Sequence, residues 1–171
     1  MLTLGQQLIG KNIMSLRIGR PIGVINDFIV NPNNLKIEGW HATDLGDKKH
    51  VVLLSQDIRE IIPEGFVVDD HEALTHPDEL VRLKDILSYK FNLIGKNVVS
   101  DHKRKLGKVA DFALDRDTYL IHKLHVSQSI IKSFTGGALM IDRSQITEIT
   151  DKKIVIREAT AQDSAPMPAM A

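Results

Sequence analysis

The chain contains no cysteine among its 171 residues. It therefore cannot form disulfides, use a thiolate as a nucleophile or bind a metal through cysteine, and this composition is typical of a reducing compartment. It also lacks an apolar run close to the ~20 residues that a membrane-spanning helix requires. The opening residues MLTLGQQLIGKN lack the basic segment, apolar core and cleavage site of a secretion signal. We therefore expect a cytoplasmic protein without a membrane span.

An excess of one charge is missing as well. Basic residues (Lys and Arg) and acidic residues (Asp and Glu) both number 22. Residues 1–70 hold seven basic and nine acidic residues, and residues 93–171 hold twelve basic and nine acidic residues. Overall charge therefore gives no sign of a nucleic-acid partner. The 43% apolar and 26% charged residues are the proportions of an ordinary folded protein.

What the sequence does contain is an internal repeat. LIGKNIMS at residues 8–15 shares six of its eight residues with LIGKNVVS at residues 93–100, at an offset of 85 residues. Two small domains of this kind gain stability by packing together. After a turn that is one residue shorter in the second copy, the correspondence continues with Gly23/Gly107, Asp27/Asp111, Phe28/Phe112, Ile37/Ile121, His41/His125 and the segments 56–61 and 144–149.

Each copy has the residue pattern of short strands separated by turns. Residues 109–114, VADFAL, alternate along a strand in the second copy. The following turn has Asn31 in the first copy and Asp115 in the second, and both side chains can accept backbone N–H groups. Five or six strands per copy with almost no helix predict an all-β fold in which each copy is a small antiparallel barrel or half-barrel. Two tandem small antiparallel β-barrels are the favoured arrangement.

A short helical connector is predicted between the copies. Thr75 or His76 can cap a helix with Pro77 in its first turn. An apolar face for packing against a barrel would consist of Leu80, Leu83, Ile86 and Leu87. The tail is rich in small residues and is predicted to be disordered. The expected organisation is repeat one at 1–70, the connector at 71–92, repeat two at 93–158 and the tail at 159–171.

Residues 95–126, GKNVVSDHKRKLGKVADFALDRDTYLIHKLHV, resemble the PRC-barrel domain family. The shared series is a glycine and strand, a polar turn, a Leu-Gly-Lys-Val step, an aspartate two residues on, an Asp-rich turn and a third strand. The first copy departs from it, with RPIGVIND and Asn31-Pro32, so its assignment depends on the second copy. The family is similar to the cytoplasmic part of the reaction centre H subunit and to the C-terminal domain of a ribosome maturation factor. The resemblance implies a docking module and not a catalyst.

Asp27 and Asp111 recur at equivalent positions and could be considered as acids or bases. No second carboxylate or nucleophile recurs at a fixed spacing beside them, as acid–base chemistry would require. An aspartate within an apolar strand more often accepts nearby backbone N–H groups. We therefore expect structural roles for Asp27 and Asp111, as for Asn31 and Asp115 in the turns, and no catalytic residue.

The seven histidines raise the possibility of a metal site. The closest pair, His122 and His125, is separated by three residues, which places the side chains on opposite faces of a strand. His41 and His125 could approach each other across a twofold axis, but a structural role is the favoured interpretation. The segment FTGGAL lacks the lysine and helix start of a phosphate-binding loop. We expect no metal, no cofactor and no small-molecule substrate.

One basic cluster, at a turn, could contact the phosphates of RNA: Lys103, Arg104 and Lys105. No aromatic residues lie between these residues to stack on bases.

An apolar cluster, Ile130, Ile131 and Phe134, precedes the Gly136-Gly137 turn. These three residues either cover the end of a barrel or the seam between barrels, or form a docking patch for a protein partner or a second copy. The sequence favours a non-enzymatic interaction or scaffolding module, with an RNA- or ribosome-associated factor as the alternative.

Overall fold

The computed structural model describes residues 1–79, 81, 84–88, 90–128 and 138–158. These residues form mainly β-strands, which confirms the predicted all-β class. Strand β1 is Leu2–Leu4. The first half of the molecule contains β2 (Asn12–Ser15), β3 (Arg20–Asn31), β4 (Lys36–Asp44), β5 (His50–Leu54), β6 (Ile58–Ile62), β7 (Gly65–Val68) and β8 (Leu74–Thr75). The second half contains β9 (Asn97–Ser100), β10 (Lys105–Asp115), β11 (Ile121–Ser127), β12 (Leu139–Asp142), β13 (Ile146–Ile149) and β14 (Lys153–Ile156).

The strands form two seven-stranded sheets with the same internal order. The first sheet runs β6-β7-β2-β3-β4-β5-β8. The second runs β13-β14-β9-β10-β11-β12, and β1 joins it by pairing with β10. Strands β2 to β7 therefore correspond one to one with β9 to β14. The repeat in the sequence is a repeat of sheet order, and the N-terminal strand contributes to the sheet of the second half.

The favoured prediction of two tandem antiparallel β-barrels was wrong, because the sheets are not closed and one strand pair in each is parallel. In each half the first and last equivalent strands pair in parallel, β2 with β7 and β9 with β14. The intervening strands supply the long connection that parallel neighbours require. Among the described residues, no pairing joins the two edge strands of either sheet, so each sheet is open.

The longest strands, β3 and β10, carry bulges at equivalent positions. The register shifts between Ile25 and Asp27 in β3, and between Val109 and Asp111 in β10. A bulge bends a strand, increases its twist and places two of its residues opposite one residue of the partner strand. As a result, each recurring aspartate lies directly opposite the recurring histidine of the next strand.

The two halves meet at a seam with twofold character. Ile37 N donates to Tyr119 O, and Ile121 N donates to Leu35 O, both at 2.9 Å. Ile37 corresponds to Ile121 in the repeat, and Leu35 corresponds to Tyr119. The two hydrogen bonds are therefore equivalent, each made by one half to the other.

The halves also share a core. The rings of the equivalent residues Phe28 and Phe112 contact each other edge to face, with their centroids 4.9 Å apart. Trp40 is fully buried and its ring lies 5.7 Å from that of Tyr119 in the other half. A single hydrophobic cluster contains buried side chains of both halves. Packing two small sheets together buries more apolar surface than either could alone.

The connector is not the short helix that the sequence predicted. Its described residues form two 3-10 turns, the strand β8, and a helix of only five residues, Lys84–Ser88 (α1). Strand β8 pairs with β5, so the sheet of the first half takes in Leu74 and Thr75. Because Thr75 is part of a strand, it cannot cap a helix. The 3-10 turn before that strand, His71–Ala73, is capped instead by Asp70, whose side chain accepts from Glu72 N.

Only part of the predicted apolar face can be located. Leu87 packs against Ile29 and Val52. Leu80, Leu83 and the side chain of Ile86 lie outside the described residues, as does the tail 159–171. No helix in the described ranges is both long enough and apolar enough to cross a membrane.

Candidate interaction site

The two β-hairpins β2–β3 and β9–β10 have tips that are each held by a serine side chain, although the second tip is one residue shorter than the first. Ser15 Oγ accepts from Ile18 N at 3.2 Å, and Ser100 Oγ accepts from Arg104 N at 3.1 Å. The residue after each serine is held to the last strand of its half. Leu16 N donates to the carbonyl of Val68, and Asp101 N donates to the carbonyl at the equivalent end of β14. Both tips are thus fixed to a rigid sheet.

The tips differ in what they expose. Leu16 and Ile18 in the first tip are 58% and 44% exposed. The second tip has Asp101 in the place of Leu16, and the residues that follow, His102 and Lys103, are polar and exposed as well. Since a tip held by the same kind of serine contact forms with polar residues, folding does not require the two apolar side chains. An exposed apolar pair that the fold does not need is a candidate contact for another protein.

A pocket of about 350 Å³ lies beside the first tip and includes Ile18, Pro21 and His71 in its lining. At its edge, Asp44 Oδ2 lies 2.5 Å from His71 Nε2, and Gly46 N donates to Asp44 Oδ1 at 2.7 Å. Burial alone would raise the pKa of Asp44, but the hydrogen bonds from Gly46 N and His71 outweigh it, and the pKa is lowered. The pocket therefore combines apolar walls with a carboxylate that stays ionised.

The basic turn predicted to contact RNA is only partly available. Arg104 Nε lies 2.9 Å from Glu158 Oε1 in a salt bridge, so its charge is balanced. Lys103 lies at the tip with a left-handed backbone, φ 63°. Lys105 lies at the start of β10, opposite Val99.

Lys105 instead belongs to a cleft of about 610 Å³ whose other three lysines the sequence analysis missed. They are Lys108, Lys152 and Lys153. These residues come from β10, from β14 and from the turn before β14, and the distance between these elements along the chain hides their proximity. The usable signal was the repeat, because the first copy has other residue types at the same positions.

The recurring aspartates accept backbone N–H groups. Asp27 Oδ1 accepts from Phe28 N, and Asp111 Oδ1 accepts from Phe112 N, both at 2.8 Å. Asp111 Oδ1 also accepts from Gln6 N at 3.0 Å, which connects the N-terminal segment to β10. The bulges place these carboxylates next to histidines, and each half uses them to hold the backbone at its bulge.

Among the described residues, one pair of histidines lies within hydrogen-bond distance, and that pair is in the first half. His41 Nδ1 and His50 Nε2 are 2.9 Å apart on neighbouring strands. The pKa of His41 is lowered, mainly by burial and then by His50, while Asp27 acts in the opposite direction. In the second half, His125 Nε2 is buried and has no hydrogen-bond partner in the part of the chain that the structure describes. Within the described ranges, no three His, Asp or Glu side chains are placed to bind a metal ion.

The predicted docking patch, Ile130, Ile131 and Phe134, lies outside the described residues. The structure therefore neither places these residues in the core nor exposes them. A scan against protein-family models gives no match, and no curated protein matches the chain significantly.

Proposed function

We propose that this chain is a non-enzymatic interaction module, related to the PRC-barrel domains that its second copy resembles. It docks a protein partner through the β2–β3 tip. The observation that carries this proposal is the exposure of Leu16 and Ile18 on a tip whose equivalent in the second half is polar. Rigid sheets that present variable loops are a common basis for recognition.

Several features of the tip support a protein as the ligand. Two exposed aliphatic side chains on a fixed turn can insert into an apolar pocket of a partner. The adjacent pocket can accept a partner side chain in return. The partner is a different protein or a second copy of this chain. The absence of cysteine supports a cytoplasmic site of action.

RNA contact through the basic turn is the second candidate function. The observation that favours it is the exposure of Lys103 and Lys105, neither of which has a carboxylate within ion-pair distance among the described residues. Arg104 is less suited to this role, because it would have to exchange Glu158 for a phosphate.

The test makes the first tip polar, as the second tip is. The variant Leu16→Asp/Ile18→Lys replaces both exposed apolar side chains by residue types that occur in the second tip. We expect its melting temperature to stay within a few degrees of the parent, since exposed positions contribute about 0.5 kcal/mol or less. We expect self-association in sedimentation, or capture of the partner, to be lost.

The control is Met140→Lys, because Met140 is also apolar and 53% exposed but lies on β12 in the other half. Unchanged binding by the tip variant would refute docking through this tip. Salt-dependent RNA binding that is lost in Lys103→Glu/Arg104→Glu would establish the second candidate instead.

A further inference from the structure

The lysine cleft has the features of a binding site for an anion. Its volume is about 610 Å³, which lies within the range of small-molecule pockets. Four lysines line it: Lys105, Lys108, Lys152 and Lys153. All four are exposed, and in the described ranges no carboxylate lies within ion-pair distance of any of them.

The sheet register holds the lysines on one surface. Asn97 pairs with Lys108 on one side and with Lys153 on the other, so these three residues form a row across three strands. Neighbouring strands are about 4.8 Å apart, which separates the backbones of Lys108 and Lys153 by about 10 Å. Lys105 pairs with Val99, which lies two residues from Asn97 on the same face of β9, so Lys105 belongs to a second row beside the first. The nearest acidic residue in that row is Glu148 on β13, three strands away from Lys105.

The internal repeat shows that folding does not require these lysines. The first half builds the same strands with Pro21 and Val24 in place of Lys105 and Lys108. At an offset of 88 residues, Glu64 and Gly65 stand in place of Lys152 and Lys153. Four like charges close together repel one another and lower stability. A cluster that only one half carries, and that does not help folding, is best explained by a ligand.

The chemistry of the cleft defines the ligand class. Lysine ammonium groups bind phosphate as point charges. Between them, the half-buried Val99 and the buried Leu106 give the cleft an apolar part. A long nucleic acid fits less well, because the whole chain has no net positive charge to attract a polyanion and no aromatic residue lines the described part of the cleft.

We propose that this cleft binds a small polyphosphate ester, that is, a molecule with several phosphate charges and an apolar or planar group. The phosphates lie among the four ammonium groups, and the organic group lies against Val99 and Leu106. This binding goes beyond docking of a protein and does not depend on it, since the cleft and the β2–β3 tip belong to different halves.

The test uses calorimetry of the full chain with ATP and with inorganic triphosphate in magnesium-free buffer at low salt. We expect both to bind, and ATP to bind more tightly because adenosine contacts the apolar part of the cleft. Replacing all four lysines by Gln should weaken ATP binding about 30-fold or more, and salt should weaken binding to the parent protein. The melting temperature should stay within a few degrees, because all four positions are exposed.

The matched control replaces four exposed lysines elsewhere, Lys48, Lys49, Lys84 and Lys90, and changes the net charge equally. It should bind ATP like the parent, as should Leu16→Asp/Ile18→Lys. Equal weakening in the control, or equal affinity for ATP and inorganic triphosphate, would overturn the proposal. Binding of a 20-nucleotide RNA without measurable binding of ATP would also overturn it and assign the lysines to nucleic acid.

Discussion

At the scale of single residues, the two halves solve one turn with different chemistry. Asn31 Oδ1 accepts from Asn33 N at 2.9 Å. At the equivalent turn, Asp115 Oδ1 accepts from Asp117 N and Thr118 N at 2.8 and 3.0 Å. Asp115 Oδ2 also lies 3.3 Å from the N-terminal ammonium group. The charged version therefore holds the turn and the N-terminus together.

This charge makes the stability of the second turn sensitive to acid. Backbone N–H groups of Thr118 and Asp117, and to a lesser extent the N-terminus, lower the pKa of Asp115 to about 2. Because the folded-state pKa lies below that of the unfolded chain, this stabilisation is complete above the ordinary aspartate pKa and is lost as the pH falls towards 2. We expect Asp115→Asn to fold, as Asn31 does in the first half, and to reduce the fall in melting temperature between pH 4 and pH 2. An identical acid profile would show that the charge does not contribute.

Residues that act on their sequence neighbours are within reach of sequence analysis, and residues that act across strands are not. The Asx-type bonds of Asn31 and Asp115 reach only two or three positions along the chain. The lysine cleft depends on the register of β9 with two other strands. The alternation of apolar and polar residues along one strand does not show which residues of the neighbouring strands lie opposite it.

At the scale of elements, a second irregularity in β10, on its edge with β9, depends on Gly107. The register shifts between Lys105 and Gly107, and Gly107 has φ 141°, a conformation that side chains rarely adopt. A Cβ atom there would lie 2.1 Å from the carbonyl oxygen of Ser127 on β11. Both the backbone angle and the neighbouring strand therefore require glycine.

We expect Gly107→Ala to lower the free energy of unfolding by about 3 kcal/mol or more, because the strand has to move as well as adopt a strained angle. Gly95→Ala is the matched control. Gly95 also has a positive φ, 85°, but nothing lies within 4 Å of its Cβ position, so only the conformational cost of about 1 kcal/mol applies. Urea denaturation of both variants measures the difference. Equal losses would show that β10 can shift away from β11 without cost.

The elements also show why the connector prediction failed. Residues 71–92 contain a helical pattern, but the edge of β5 offers backbone partners to Leu74 and Thr75. Such tertiary pairing overrides a local preference for helix. The parallel pairing of β2 with β7 was also beyond prediction, because strand patterns report which face is buried and not the direction of a partner.

At the scale of the whole molecule, the repeat predicted two equivalent units but not how they join. The joining contacts include one between two equivalent residues, Phe28 and Phe112. Residues of this kind contact themselves across an axis, so a sequence comparison can align them without revealing that they touch. The shared cluster and the pairing of β1 with β10 imply that the halves unfold together.

Trp40 is the only tryptophan, and its position in the first half allows this coupling to be tested. Ile154 is fully buried on β14 in the second half. Replacing it by Ala should cost about 2–5 kcal/mol through the cavity that remains. If the halves unfold as one unit, Trp40 fluorescence and far-ultraviolet circular dichroism will show one transition, lowered equally in Ile154→Ala. A Trp40 transition that keeps its parental melting temperature while the dichroism becomes biphasic would show that the first half is stable without the second, and that the seam joins two independent domains.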